Sequence, residues 1–229
     1  MKTLAHKIII YDDVCPLCKA YTSGFVNIGW LLPENRIGFS EAPKSLLNKI
    51  DIERARHEIP LFDTETGETL YGQDALFYII GIEMPVFRPL FKFPPFRGFI
   101  FVLYQIITYN RRIIAGSKTP DCGFDCAPDF NAFYRWLYIS FMGFISAIMS
   151  FKLIQTLDNQ TIVFFLLIFV AILRGVIIEN FKIKTDYFGH LATVILIVLI
   201  FAHLIGLTVF TMPIFMLLGL YFLYKRVKI

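Results

Sequence analysis

The sequence predicts a protein in two parts, with an α/β domain at the N-terminus and an all-α bundle of four transmembrane helices behind it. The chain of 229 residues is 56% hydrophobic and only 17% charged, whereas a soluble domain has about 25% charged residues. Most Asp and Glu residues also precede residue 131, and long apolar runs follow it. We therefore expect a folded domain at residues 1–115, a linker at 116–134 and a membrane domain at 135–229.

Four membrane spans are predicted from the apolar runs. The first two are Trp136–Ile154 and Thr161–Ile178. The run Leu191–Tyr224 has no formal charge, and as one straight helix it would be about 50 Å long, against a hydrocarbon core of about 30 Å. It must therefore fold back once, at Gly206 or at Thr211–Pro213, and so supplies the third and fourth spans.

The positions of the basic residues predict the orientation of these spans. Basic residues flank one end of every span: Arg111, Arg112, Lys118, Arg135, Lys182, Lys184, Lys225, Arg226 and Lys228. Because cytoplasmic loops carry the excess of Lys and Arg, we expect the N-terminal domain and the C-terminus to be cytoplasmic. The net charge of +4 is spread along the chain rather than clustered, which argues against a nucleic-acid partner and leaves membrane lipid as the expected surroundings.

Two ionisable residues lie within the predicted spans. An ionisable group inside a membrane is a functional candidate, so His203 in the third span can serve transport or quinone binding. The competing interpretation, which we favour, is a neutral histidine that is hydrogen-bonded across the bundle. Arg174 stands near the end of its span and is interpreted as an anchor.

The N-terminal domain shows the element order of a thioredoxin-like α/β fold. Strands are predicted at Lys7–Tyr11, Arg36–Phe39, Pro60–Asp63 and Thr69–Tyr71, with helices after Cys15, at Ser45–Ala55 and at Gln73–Ile82. The order is β-α-β followed by β-β-α. In such folds the third strand usually starts at a cis-proline packed against a cysteine pair. By this fold analogy we expect a cis bond before Pro60 and assign Pro60 to the site.

The dithiol Cys15-Pro16-Leu17-Cys18 is the strongest functional motif of the chain. It follows a predicted strand and opens a predicted helix, which is the setting of a redox-active cysteine pair in a cytosolic protein. We expect Cys15 to be partly exposed at the helix N-terminus, where the helix dipole and Lys19 favour its thiolate. Cys18 would then resolve the mixed disulfide, and a buried Asp12 would relay its proton. Two inert core cysteines are the alternative.

Residues around this dithiol resemble a known family. Tyr11-Asp12-Asp13-Val14-Cys15-Pro16-Leu17-Cys18 resembles the cysteine box of the DCC thiol-disulfide oxidoreductase-like family, with Asp13 where that family usually has Gly. Gly72-Gln73-Asp74-Ala75 and the segment from Tyr104 to Asn110-Arg111-Arg112 resemble its later motifs. The resemblance covers roughly residues 5–115. It implies redox activity and leaves the substrate open.

A second cysteine pair lies in the predicted linker. Cys122 and Cys126 can exchange with the first pair, can join Cys15 and Cys18 in a zinc site of four thiolates, or can be plain linker thiols. We rank exchange first, and we predict no cofactor, with zinc as the alternative. The bundle itself has no cysteine, so it cannot relay electrons through thiols.

The segment from Phe87 to Phe101 combines phenylalanine, proline and basic residues. It can form an aromatic groove for a ligand, but we favour core or membrane-surface contacts, followed by a helix from Gly98 onward.

These predictions combine into one functional expectation. The chain is expected to be a membrane-anchored thiol-disulfide oxidoreductase whose dithiol acts on a protein or small-molecule thiol or disulfide at the cytoplasmic face. The alternative is a membrane bundle that binds or transports a ligand, with the N-terminal domain as a structural or zinc-binding module.

Overall fold

The computed structural model describes residues 4–116, 128–154, 159–205 and 212–227. The chain divides into two compact units, Met1–Asp129 and Phe130–Ile229. The division falls inside the segment that the sequence marks as a linker. Each unit is described separately below.

A four-stranded mixed sheet organises the first unit. Its strands are β1 Lys7–Tyr11, β2 Arg36–Gly38, β3 Pro60–Asp63 and β4 Thr69–Tyr71. They lie in the order β2-β1-β3-β4, with β1 and β2 parallel and the other pairs antiparallel. The observed strands follow the predicted ones closely, because short β-branched and aromatic runs between turn residues are a strong local signal.

Helices cover both faces of this sheet. They are α1 Pro16–Asn27, α2 Lys44–Leu47, α3 Ile52–His57, α4 Gly72–Glu83, α5 Arg88–Lys92 and α6 Pro94–Ala115. Successive strand residues point to opposite faces. Ile9 and Leu61 therefore pack in one core cluster, whereas Ile10 and Phe62 pack in another.

The helix predicted at Ser45–Ala55 is in fact two short helices, so this prediction is wrong in detail. The side chain of Asp51 accepts a hydrogen bond from the backbone N–H of Arg54 and so caps a new helix, α3. An aspartate that can satisfy a free backbone donor favours a helix start over a continued helix.

The peptide bond before Pro60 is trans, and the prediction of a cis bond is wrong; all peptide bonds in the described ranges are trans. Pro60 begins β3 and faces Tyr71 of β4. A proline is tolerated at the first residue of a strand, where its missing N–H does not interrupt the ladder. The trans isomer is also the more stable one, by about 0.5–1 kcal/mol.

The second unit consists of apolar helices, α7 Ala132–Ile154, α8 Asn159–Ile177, α9 Phe181–Ile205 and α10 Met212–Val227. Within the described ranges two stretches, Ala132–Phe151 and Phe181–His203, are long and apolar enough to cross a membrane. The bent pair Pro85–Lys92 and Pro94–Ala115 of the first unit gives a third candidate if it is counted as one span. The apolar stretches Thr161–Ile177 and Pro213–Lys225 are shorter, so the count of four spans stays a prediction.

Helix α9 is the centre of this second unit, packing against α7, α8 and α10. A Cβ atom on Gly219 of α10 would come within 2.4 Å of Val194 Cγ1 on α9. Glycine is therefore needed for the close approach of these two helices, as is common for helices that pack in membranes. The predicted reversal at Gly206 or Thr211 lies outside the described residues.

Candidate active site

The dithiol lies where β1 ends and α1 begins. Cys15 is the N-cap of α1, and Cys18 lies in its first turn. Both thiols are free, and their sulfur atoms lie within 4.8 Å of each other and of a carboxylate oxygen of Asp12. The predicted strand, loop and helix thus bring the two sulfurs close together.

Both cysteines are buried, and the expectation of a partly exposed Cys15 is wrong. Cys15 is 2% exposed and Cys18 is 6% exposed. They form a small apolar cluster with Tyr11, against which Leu17 and Ile59 pack. The neighbouring segment at Ile59 encloses the helix N-terminus, and the local motif alone could not predict that enclosure.

Asp12 organises the loop that leads to the dithiol. Its Oδ1 accepts hydrogen bonds from the backbone N–H groups of Val14, at 3.0 Å, and Cys15, at 3.2 Å. Its Oδ2 lies 3.2 Å from Arg111 Nη2 in a buried ion pair. Asp12 is thus buried beside Cys18 and fixes the backbone before Cys15, and its role in proton transfer stays a prediction.

Arg111 is the functional residue that sequence reasoning missed. It comes from α6, and its Nη1 lies 3.6 Å from Cys18 Sγ. Its Nη2 also donates to the backbone carbonyl of Arg56, at 3.3 Å. In the sequence, Arg111 stands out only as one of the basic residues before the first span and as part of the resemblance to a known family. The sequence gives little indication that Arg111 lies beside Cys18, because no local pattern relates a residue of α6 to α1.

The two sulfurs differ strongly in acidity. Hydrogen bonding from the Cys18 thiol lowers the pKa of Cys15 to about 6, against the opposing effect of burial. The backbone N–H of Cys18 and the charge of Arg111 act in the same direction, and Asp12 opposes them. The hydrogen bond to Cys15 and burial raise the pKa of Cys18. At neutral pH the pair therefore holds a Cys15 thiolate and a protonated Cys18.

A cleft of about 310 Å³ opens beside Cys18. Its walls are mostly apolar, and the residues that line it are Leu17, Cys18, Tyr21, His57, Ile59, Leu76, Tyr104, Ile107, Thr108 and Arg111. The hydroxyl of Tyr104 accepts a hydrogen bond from the backbone N–H of Ile59, at 3.4 Å, and so ties α6 to the start of β3. The cleft gives a small group a route to Cys18.

Three other predicted site residues have different outcomes. Pro60 is buried at the start of β3, next to Ile59 of the cleft wall, but it does not line the cleft itself. Its proposed role in the site stays a prediction. Cys122 and Cys126 lie outside the described residues, so exchange with the first pair and the four-thiolate zinc site are also predictions.

A group that can hold a metal ion is present within the described ranges. Asp12, Cys15 and Cys18 each offer one ligand atom, and all three residues are buried. Two thiolates and a carboxylate suit zinc, which usually takes four ligands. However, the guanidinium of Arg111 already contacts Asp12 and Cys18. A cation bound there would be repelled by this positive charge. The ligand atoms therefore suit zinc, but the electrostatic surroundings do not.

The two ionisable residues predicted within spans have contacts in the second unit. His203 Nδ1 lies 2.8 Å from the backbone carbonyl of Leu199, one turn earlier in α9. The Arg174 guanidinium lies over the ring of Tyr224, 5.1 Å from its centroid. The contact of His203 stays within α9 rather than crossing to another helix, so the structural interpretation of each residue stays a prediction.

Comparisons of the chain with models of protein families, with curated proteins and with solved structures gave no match. The resemblance to the DCC family therefore stays a prediction from the motifs, and the function has to be argued from the site itself.

Proposed function

We propose that this protein is a membrane-anchored thiol-disulfide oxidoreductase with a thioredoxin-like N-terminal domain. The observation that carries the proposal is the asymmetry of the dithiol. Cys15, with its pKa lowered to about 6, is the nucleophile, and Cys18, with its pKa raised, keeps its proton until the second step. An inert pair of core cysteines does not need a buried cation and a buried carboxylate beside it.

The architecture of the first unit supports the proposal. Its strand order β2-β1-β3-β4, with only β1 and β2 parallel, is the arrangement expected of a thioredoxin-like domain. The dithiol stands at the junction of β1 and α1, as such a domain requires. Fold analogy raises the weight of a redox function, and the site chemistry carries the argument.

The proposed reaction is a two-step exchange. The Cys15 thiolate attacks one sulfur of a substrate disulfide, so that a mixed disulfide forms and one substrate thiolate leaves. Cys18 then loses its proton, with Asp12 as the acceptor, and attacks Cys15 Sγ. The Cys15–Cys18 disulfide forms and the second substrate thiolate leaves. The substrate gains two electrons, and a thiol reductant must return two electrons to the dithiol.

The proposed setting is the cytoplasmic face of a membrane. Two or three helices are apolar enough to cross a bilayer, and the flanking basic residues favour a cytoplasmic first unit. A reducing compartment favours a dithiol that cycles over a permanent disulfide. The substrate is a protein or small-molecule disulfide, and the apolar cleft beside Cys18 favours one with an apolar group next to its sulfur.

Trapping of the mixed disulfide tests the proposal. In the full-length membrane protein, Cys18→Ser should accumulate a covalent adduct through Cys15 that a reductant releases. The double variant Cys15→Ser/Cys18→Ser is the matched control and should form none at this position. If Cys18→Ser forms no adduct at Cys15 with any protein or small disulfide in its native membrane, the oxidoreductase proposal fails.

The metal-binding group favours a second candidate function. In it, a bound zinc ion stabilises the fold of the first unit, and the helices of the second unit bind or transport a ligand. Asp12, Cys15 and Cys18 would supply three ligands, and Cys122 or Cys126 would supply a fourth. Elemental analysis of purified protein separates the candidates. About one zinc per chain, lost in Cys15→Ser, would favour this second candidate over redox cycling, whereas metal-free protein with two titratable thiols at Cys15 and Cys18 favours the oxidoreductase.

A further inference from the structure

The first unit carries an exposed apolar surface that the dithiol chemistry does not use. It is formed by α5, the turn before it and the first half of α6. Val86 is 76% exposed, Phe99 61% and Phe93 55%. The other exposed large apolar side chains on it are Phe87, Leu90, Phe101 and Val102. A soluble domain rarely leaves so many neighbouring aromatic and aliphatic side chains in water, so this surface is a candidate interface.

The charges on this surface have one sign. Arg88, Lys92 and Arg97 are exposed among the apolar residues, and the sequence has no Asp or Glu between Met84 and Gly116. Arg97 is paired with Asp74 of α4 at 2.7 Å. Phenylalanine and leucine side chains interspersed with Lys and Arg are the composition of an element that lies in the interface of an anionic bilayer.

The geometry argues against a membrane crossing by this segment. The axes of Pro85–Lys92 and Pro94–Ala115 meet at 92°. The second half of α6 is held in the first unit, where Ile106, Asn110 and Ile113 are buried. The half of α6 that exposes apolar side chains, from residue 94 to 103, is about 15 Å long, against the roughly 30 Å of a hydrocarbon core. The two elements form a corner that can lie on a bilayer.

We propose that this corner docks on the surface of an anionic membrane. The side chains of Phe93 and Phe99 enter the boundary between headgroups and acyl chains, while Arg88 and Lys92 face lipid phosphates. A bilayer is the occupant that fits, because the span-length helices of this chain already require one and because the surface has the opposite charge to acidic lipid. The proposal is independent of the dithiol chemistry.

Tryptophan quenching in liposomes tests the proposal on the full-length protein. The probe is Phe99→Trp in a Trp30→Phe/Trp136→Phe background, which removes both natural tryptophans, reconstituted in phosphatidylcholine with phosphatidylglycerol. The matched control is Ile28→Trp in the same background, because Ile28 is 57% exposed on the first unit and lies outside the corner. Lipids brominated near the headgroup end of the acyl chain should quench the Phe99→Trp emission at least threefold more than that of the control.

The contribution of positive charge to docking is measured separately. Adding Lys92→Gln to the probe, or omitting phosphatidylglycerol, should weaken the docking, by about fivefold for the single charge. Equal quenching of the probe and the control would overturn the proposal and point to a protein partner for the corner. Quenching strongest by lipids brominated at the chain end would also overturn it, because it would mean that the segment crosses the bilayer.

Discussion

Arg111 Nη1 lies 3.6 Å from Cys18 Sγ, although 93 residues separate the two along the chain. The same guanidinium lies 3.2 Å from Asp12 Oδ2 and 3.3 Å from the carbonyl oxygen of Arg56. One buried cation therefore holds together the acid before the dithiol, the dithiol itself and the helix α6. Because its charge also favours the Cys15 thiolate, Arg111 links the packing of the domain to its reactivity.

Arg111→Gln should make Cys15 less acidic. Removing a nearby positive charge destabilises the thiolate, so the pKa of Cys15 should rise from about 6 by about one pH unit. At pH 6 the thiolate fraction, and with it the rate of Cys15 alkylation by iodoacetamide, should fall by about fivefold. Alkylation is measured by mass spectrometry of the Cys15 peptide. The control is Arg112→Gln, the same change at the next residue, and an equal effect of both variants would contradict a specific role of Arg111.

The hydrogen bond from Cys18 should be the main cause of the low pKa of Cys15. In the wild type the alkylation rate of Cys15 should rise with pH around a midpoint of about 6, as the thiol loses its proton. Cys18→Ala removes the donor, so the midpoint should move toward the ordinary value of about 8.5. Cys18→Ser keeps a donor and should lie between the two. A midpoint near 6 in Cys18→Ala would rule out this cause.

Asp12→Asn should have opposite effects on the two steps of the proposed reaction. The negative charge of Asp12 raises the pKa of Cys15, so its loss should favour the thiolate and speed the first attack at pH 5–6. If Asp12 accepts the proton of Cys18, the second step should slow by about 10²-fold or more. Single-turnover kinetics with a chromogenic disulfide separates the two steps. An unchanged second step would remove Asp12 from proton transfer.

Local patterns were sufficient to predict the sheet of the first unit. The runs Lys7–Tyr11 and Pro60–Asp63 are short, rich in apolar residues and bounded by turn residues, and the structure has strands with the same bounds. The position of Cys15 at the start of a helix followed from the same local reasoning, because a strand, a loop and a helical pattern adjoin it. Contacts within a few residues decide these features, so one sequence contains the information.

Features that depend on distant segments could not be predicted in this way. The burial of Cys15 depends on Ile59, and the charge beside Cys18 comes from Arg111 of α6. The bond before Pro60 was assigned by analogy with a fold rather than from its own contacts, and it proved to be trans. Neither periodicity nor spacing reports which side chains meet after the chain has folded.

The buried ion pair of Lys7 and Asp63 gives a prediction about stability. The two residues face each other across β1 and β3, and Lys7 Nζ donates to Asp63 Oδ2. Lys7→Met leaves the buried carboxylate of Asp63 without its lysine partner and should cost about 3 kcal/mol, seen as a lower Tm of the first unit by circular dichroism. Lys7→Met/Asp63→Leu removes both charges and should recover most of the loss. A double variant as unstable as the single one would contradict this.

The same pair predicts a dependence of stability on pH. The hydrogen bond from Lys7 holds the pKa of Asp63 below its usual range. Because the folded-state pKa is the lower one, the stabilisation is present above about pH 4 and is lost as the pH falls further, through the folded-state pKa. The Tm of the wild type should therefore fall more steeply below pH 4 than that of Lys7→Met/Asp63→Leu.

The continuous helix α6 would limit which substrates can react with the dithiol. Phe99 and Arg111 belong to the same unbroken helix, and twelve residues of helix measure about 18 Å. With its first half on lipid as proposed, α6 would hold the dithiol within about 18 Å of the residues that contact the bilayer. Partners would then be selected by where they carry their disulfide. Those that present it beside the headgroups would be within reach, and those that hold it far from the membrane surface would not.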